Sequence, residues 1–270
     1  AAAGASQPAQ EEPLDAAGYA RRGSAFAARR DYRHALADLT RAVELDPAEA
    51  DYFYERGLAY KSDAHPDQAL GDFSQAIRLR PGDVPALVAR AELRSERHDP
   101  ADSISPDLDA ADRAAAREAD VRLTLGHLYQ QVGNYRAALV QYDDWIDSHN
   151  HDDVGMPHAR GSRCRARALV GQELDKALDD CNFAVRKRPH AADFLESRGL
   201  VHLRQGTYDK AVTDYDAALA LDPKLPWALY GRGLAKQHRG QAASGQADIA
   251  AAAAIFPGIS EQAASRGLVP

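Results

Sequence analysis

Four Arg and Asp residues recur at one separation. Arg22 precedes Asp38, Arg56 precedes Asp72, Arg198 precedes Asp214 and Arg232 precedes Asp248, each by sixteen residues. A guanidinium and a carboxylate are complementary planar groups that join through two parallel hydrogen bonds. Repetition at a fixed distance therefore predicts structural ion pairs between two elements that run side by side. Partly buried, such pairs set register more than they add net stability. The rival reading is a ladder of Arg residues left open to bind anions.

The other reactive residues are sparse. Cys164 and Cys181 are the only cysteines. They admit two readings: a disulfide, suited to an oxidising compartment such as a periplasm, or two small buried thiols in a cytosolic protein. "SHNHDD" (148–153) gathers His149, His151, Asp152 and Asp153 in one stretch. It has no partner ligands elsewhere at a recognisable spacing, so it reads as a solvated loop and no metal is assigned. No Ser–His–Asp order, nucleophile elbow or phosphate-cradling glycine loop is present. The reading is no enzyme, no catalytic residue and no cofactor.

Composition narrows the classes further. The chain has 270 residues, 45% of them hydrophobic, with a formal net charge of −7. That supports a folded chain with a large core. No Lys/Arg cluster marks a nucleic-acid surface, and no apolar run approaches the roughly 18 residues of a membrane span. Lys is rare beside Arg, a bias we attribute to a GC-rich genome. Residues 1–15, "AAAGASQPAQEEPLD", have no apolar periodicity and read as a flexible lead-in, resembling the start of a mature exported protein. Exported or periplasmic is thereby favoured over cytoplasmic. The closing "GLVP" resembles the start of a protease-site tag and carries no functional weight.

The elements that must position these residues emerge from a repeat. With Pro47, Pro81, Pro189, Pro223 and Pro257 in register, units begin near Ala16, Ala50, Val84, Ala119, His158, Ala192 and Pro226. The seventh place holds Arg22, Arg56, Arg90, Arg198 and Arg232, and the twenty-third holds Asp38, Asp72, Asp107 (allowing for an insertion in the third unit), Asp214 and Asp248. In the fourth unit Leu125 and Gln141 replace both, and in the fifth Asp180 faces Cys164. Small residues fill the eighth place (Gly23, Gly57, Gly126, Gly199, Gly233) and the twentieth (Ala35, Ala69, Ala138, Ala177, Ala211). Each unit shows two stretches of helical periodicity split by a short polar turn. Small residues let two antiparallel helices approach, and the closing Pro stops the second. One hairpin cannot bury its apolar faces, whereas a stack can.

This pattern of Gly, aromatic, Ala and Pro resembles the tetratricopeptide repeat, in its bacterial form, over about residues 16–257. The resemblance implies an all-α, right-handed α-solenoid of tandem antiparallel helix hairpins. Its units lie near 16–49, 50–83, 84–118, 119–157, 158–191, 192–225 and 226–257, followed by a C-terminal cap at 258–270. Cys164 and Cys181 then fall on facing helices of one hairpin, where a disulfide is geometrically plausible. The third unit is expected to carry a lengthened turn, "RHDPADSISPDLDAAD", and the fourth a distortion where Trp145 stands in a small-residue place.

The resemblance also implies that the first helix of each unit lines a concave face. Transferred place by place, the lining includes Asp51, Tyr54, Lys61, Glu92, Glu96, Asp120, Leu123, His127 and Gln130. Further along it includes Ala166, Leu169, Leu200, Leu203, Trp227, Tyr230 and Leu234, an apolar strip of the kind that marks an interface. The expected function is a non-catalytic scaffold that holds a peptide or partner protein. Self-association as a homo-oligomer, or service as an accessory or regulatory subunit of an envelope or enzyme complex, are the alternatives. The Lys, Asn and Arg clamp by which some relatives grip a C-terminal carboxylate is missing, since Ala20, Ser24 and Glu55 occupy its places.

Overall fold

The computed structural model describes residues 14–117, 119–150 and 153–269. All regular structure among them is helical, and the chain divides into two compact units, one up to Ala114 and one from Ala115. Unit 1 contains three antiparallel hairpins: α1 (Ala16–Ala28) with α2 (Tyr32–Leu45), α3 (Ala50–Ser62) with α4 (Pro66–Leu79), and α5 (Val84–Glu96) with α6 (Ala101–Ala114). Unit 2 contains four: α7 (Val121–Gln131) with α8 (Tyr135–Ser148), α9 (Met156–Val170) with α10 (Leu174–Lys187), α11 (Ala192–Arg204) with α12 (Tyr208–Leu221), and α13 (Pro226–His238) with α14 (Ala242–Ile255). A short closing helix, α15 (Ile259–Ser265), packs on α13 and α14.

Local chemistry starts and stops these helices. Asp15, Asp31, Asp83 and Asn134 accept hydrogen bonds from the first free backbone N–H groups of α1, α2, α5 and α8. Pro66, Pro85, Pro157 and Pro226 sit in first turns, where the missing N–H costs nothing. Between the helices of every hairpin the chain adopts positive φ: at Arg30, Ala64 and His98 in unit 1, and at Gly133, Gly171, Gly206 and Gly240 in unit 2, where Glu173 joins Gly171 in the fifth turn.

Close approach inside a hairpin depends on a missing side chain. A Cβ on Gly57 would lie 2.6 Å from the Phe73 ring, and one on Gly126 would lie 2.4 Å from Tyr142. In the α9–α10 hairpin that place is taken by the Cys164–Cys181 disulfide, whose Cα atoms are 5.5 Å apart. Both sulfur-bearing residues are fully buried, among Ala168, Ala177 and Val201.

The Arg–Asp partners are in contact. Arg22 meets Asp38 through Nε and Nη2 at 2.6 and 2.9 Å, and Arg56, Arg198 and Arg232 make the same two-pronged bonds to Asp72, Asp214 and Asp248. Arg198 and Arg232, and likewise Arg90 and Arg163, which pair with Asp107 and Asp180, use Nη1 to reach the second helix of the preceding hairpin: Arg90 to Ser74, Arg163 to Asp143, Arg198 to Asn182 and Arg232 to Asp216. One side chain thus ties its own hairpin and clips it to its neighbour.

Three expectations are corrected here. "RHDPADSISPDLDAAD" is not a long turn, because α6 begins at Ala101 and carries Pro106 within it. The extra residue shows instead as a separation of 17 between Arg90 and Asp107. The fifth hairpin has the same separation, so Asp180 faces Arg163, with Cys164 in the close-approach place rather than opposite the carboxylate. Asp180, 1% exposed, accepts from Arg160, Arg163 and Arg167 at 2.7–2.8 Å. Trp145 does not spread its neighbours. It is buried against Met156 and Ala159, with Gly155 beside its ring and His149 stacked at 3.9 Å. In the fourth hairpin, where the usual pair is lost, Arg122 donates to the buried Gln141 at 2.7 Å.

Candidate binding face

Within each unit the first helices of successive hairpins touch one another: α1, α3 and α5 in unit 1, and α7, α9, α11 and α13 in unit 2. The two faces they build have different chemistry.

On the face of unit 1, Tyr54 is half-buried against Phe73 and borders two open hollows. One, of about 350 Å³, is shared with Asp51, Arg80 and Asp83, and the other, of about 390 Å³, with Ser24, Glu55 and Leu58. Charges here are paired across neighbouring helices. Lys61 Nζ lies 2.9 Å from Glu96 and 3.6 Å from Glu92, and Ser24 donates to Glu55. Burial, with Asp83 and other carboxylates nearby, pushes the Tyr54 phenol up.

On the face of unit 2, Leu123 is partly buried against the Trp145 cluster. His127 lies edge-on to Tyr142 and 3.1 Å from Ser162 Oγ; burial, and then His158, hold its ring below the ordinary imidazole value. Leu169, Leu203, Tyr230 and Leu234 are 8%, 8%, 3% and 1% exposed, so they are core and not an open wall. Ala166 is likewise fully buried. Leu200 and Trp227 remain partly accessible.

What covers the strip is the chain's own C-terminal segment. Ile259 and Ala263 of α15 are fully buried in the same core, as is Leu268 at 6% exposure. The Arg266 guanidinium lies over the Trp227 indole, 4.5 Å from its centre. Leu169, Leu200, Leu203, Trp227 and Leu234, with Arg266 and Leu268, enclose a cavity of only about 20 Å³. Leu268 belongs to the "GLVP" ending to which no weight was given, and it is a packed residue.

Beside the strip, Gln130, Ser162, Arg165, Asp193, Phe194 and Ser197 line an open polar hollow of about 240 Å³. Arg165 borders both spaces and pairs with buried Glu196 at 2.7 Å. Sequence reasoning missed Arg165 because the one-residue shift in the fifth hairpin moves it into a lining place. Arg204 occupies a lining place in the original frame and could have been found. Its guanidinium donates to the carbonyls of Leu169, Arg266 and Gly267. Burial holds the Arg204 and Arg266 guanidinium groups below their ordinary value, and among the described residues neither pairs with a carboxylate.

His151 and Asp152 of the "SHNHDD" stretch lie outside the described residues, as do residues 1–13 of the lead-in. Among the described residues no group of three or more His, Cys, Asp or Glu side chains could hold a metal, and no helix is long and apolar enough to cross a membrane.

Hairpins stacked on small-residue contacts, with a stop at the end of each second helix, define a class of repeat protein. The family described as a tetratricopeptide repeat matches residues 20–63, and that described as a TPR repeat matches residues 204–240. Solved structures agree in fold. YrrB, described as a TPR protein with an unusual peptide-binding site, is 19% identical over 72% of this chain and 97% of its own, with a TM-score of 0.60. A tetratricopeptide repeat protein from Parabacteroides merdae ATCC 43184 is 18% identical over 89% and 93%, with a TM-score of 0.61. The APC/C hetero-tetramer Cut9–Hcn1 is 17% identical over 84% of this chain and 46% of that one, at 0.57. No curated protein matches this chain in sequence. Two stretches of the chain thus match tetratricopeptide repeat models, and its fold is that of the tetratricopeptide repeat solenoids.

Proposed function

We propose that the first-helix face of unit 2 is a receptor for an extended protein or peptide segment, and that the protein acts through this binding rather than through catalysis. The observation that carries this reading is the meeting of two environments on one face. Leu200 and Trp227 offer apolar and aromatic surface, and the adjacent hollow offers Gln130, Ser162, Arg165, Asp193 and Ser197 as hydrogen-bonding groups. An extended segment needs both, apolar seats for its side chains and polar partners for its backbone. The peptide-binding site recorded for YrrB supports the same use of the fold. Tyr54, Leu123 and His127 stand outside this hollow, and we assign binding to Leu200, Trp227 and the Arg165 region instead. The Cys164–Cys181 disulfide supports residence in an oxidising compartment.

The test is capture of partners from the source organism by immobilised protein, comparing wild type with Trp227→Ala and Arg165→Ala. Trp227 is partly accessible, so Trp227→Ala should keep the wild-type helical melting curve while capture falls at least tenfold. Arg165→Ala leaves the buried Glu196 carboxylate unpaired and should also lower the melting midpoint, so its capture, expected to fall equally, is read at a temperature where it stays folded. Undiminished capture by both variants would remove unit 2 from the binding role.

A further inference from the structure

The C-terminal segment does two separable things. Helix α15 caps the last hairpin, burying Ile259 and Ala263 against α13 and α14. Residues 266–268 then run from Trp227 of that hairpin onto earlier ones. Arg204 of α11 donates to the Arg266 and Gly267 carbonyls, 62 and 63 residues away, and Leu268 shares a cavity with Leu169 of α9. A cap has no need of this excursion, because the end of the stack is already covered by α15.

The excursion has the chemistry of a bound ligand. A cation stacks on an indole face, an aliphatic residue two positions on fills an apolar seat, and a half-buried guanidinium grips the carbonyls between them. The polar part of this contact holds no ion pair. Arg266 pairs with no carboxylate among the described residues, and Arg204 contributes carbonyl bonds only. Half-buried cations without a counter-charge carry a desolvation cost that release would relieve.

We propose that residues 266–268 are an intramolecular stand-in for the partner, a tail that occupies the face of unit 2 until a segment of like chemistry displaces it. The partner so defined presents a basic residue for Trp227 and an aliphatic residue two positions later. This rests on the reading of unit 2 as a receptor. Because the tail is tethered next to its seat, its effective concentration is of millimolar order, so a free competitor of equal intrinsic affinity is weakened accordingly.

The experiment uses the full chain and a fluorescein-labelled peptide copying residues 258–269, followed by anisotropy. Arg266→Ala combined with Leu268→Ala should bind the peptide at least tenfold more tightly than wild type. A peptide carrying the same two replacements should not bind, and adding Trp227→Ala to the opened protein should abolish capture. Acrylamide quenching of tryptophan should rise in the opened protein before peptide is added and fall after. Equal binding by wild type and opened protein, or no binding by either, overturns the proposal. A melting midpoint for the opened protein far below wild type would also overturn it, by making the tail part of the fold. None of these results touches partner capture by wild type, so the receptor reading stands or falls separately.

Discussion

Units 1 and 2 use one hairpin frame and differ in what they place at its fixed points. In the turns, unit 1 puts Arg30, Ala64 and His98 at positive φ, where unit 2 puts Gly133, Gly171, Gly206 and Gly240, with Glu173 beside Gly171 its one residue there that carries a Cβ. A left-handed backbone costs a residue with a Cβ about 1–2 kcal/mol, and glycine almost nothing. On the first-helix face, unit 1 carries Lys61 between Glu92 and Glu96, with open hollows, whereas unit 2 carries leucines and Trp227. Polar surface can be left to water. The apolar surface is covered, and here the nearest cover is the chain's own tail. The frame therefore specifies where a ligand face lies, and the lining residues decide whether it stays empty.

Both tryptophans, Trp145 and Trp227, lie in unit 2, so indole fluorescence follows that unit while circular dichroism follows both. The comparison can be broken most forcefully at the ion pairs. Asp180 is buried and serves three Arg residues, so Asp180→Ala strands buried cations and should cost unit 2 about 3–5 kcal/mol in urea unfolding followed by fluorescence. Asp38→Ala in unit 1 should cost under about 1 kcal/mol, because Arg22 is 48% exposed and screened. Equal losses would show that burial does not distinguish the two pairs.

Reduction of Cys164–Cys181 comes next. Its loop spans a sequence separation of 17, for which chain entropy predicts about 3 kcal/mol. Reductant should lower the fluorescence-detected midpoint and add two hydrogens to the mass, leaving the unit 1 transition in place. The turns give a smaller effect of opposite sign in the two units. Gly206→Ala should destabilise unit 2 by about 1 kcal/mol, and Ala64→Gly should stabilise unit 1 by about 0.5 kcal/mol after its unfolded-state entropy is counted. Thermal melts of the two variants would check both signs.

The mildest contrast is with pH. Burial depresses His127 and His202 in unit 2; at His127 the neighbouring His158 adds to it, while at His202 Asp214 opposes it. A folded-state pKa below the unfolded value of 6.5 means stability is complete above that value and lost as pH falls from 6.5 through the folded pKa. These two should thus weaken unit 2 as pH falls through this range, against His149, where burial is outweighed by Asp120 and the Trp145 carbonyl, so that its pKa is raised and it acts in the opposite direction. His127→Gln with His202→Gln should remove the weakening part. An unchanged dependence in the double variant would contradict it.

Much of this was legible because a repeat is a local object. The Gly57–Phe73 contact, the Arg56–Asp72 pair and the closing Pro all fall within about thirty residues. Physical constraints at such short range leave a spacing in the sequence. The fifth hairpin was misread by one place because a single residue inserted in a turn shifts one helix's register without disturbing either helix's pattern. Pro106 was misread because the sequence offers a helix breaker, whereas packing of Ile104, Leu108 and Ala111 keeps α6 continuous.

The sequence by itself determined the hairpins, their stacking contacts and the residues that pair across them, since each depends on neighbours a few turns away. Only the tertiary structure decided that Leu169, Leu203, Tyr230 and Leu234 are core and that Arg266 and Leu268 are the residues that cover the strip. Arg204 meets Gly267 across 63 residues, and contacts so distant leave no period to read. They are chosen by which apolar surface remains to be covered once the stack has formed.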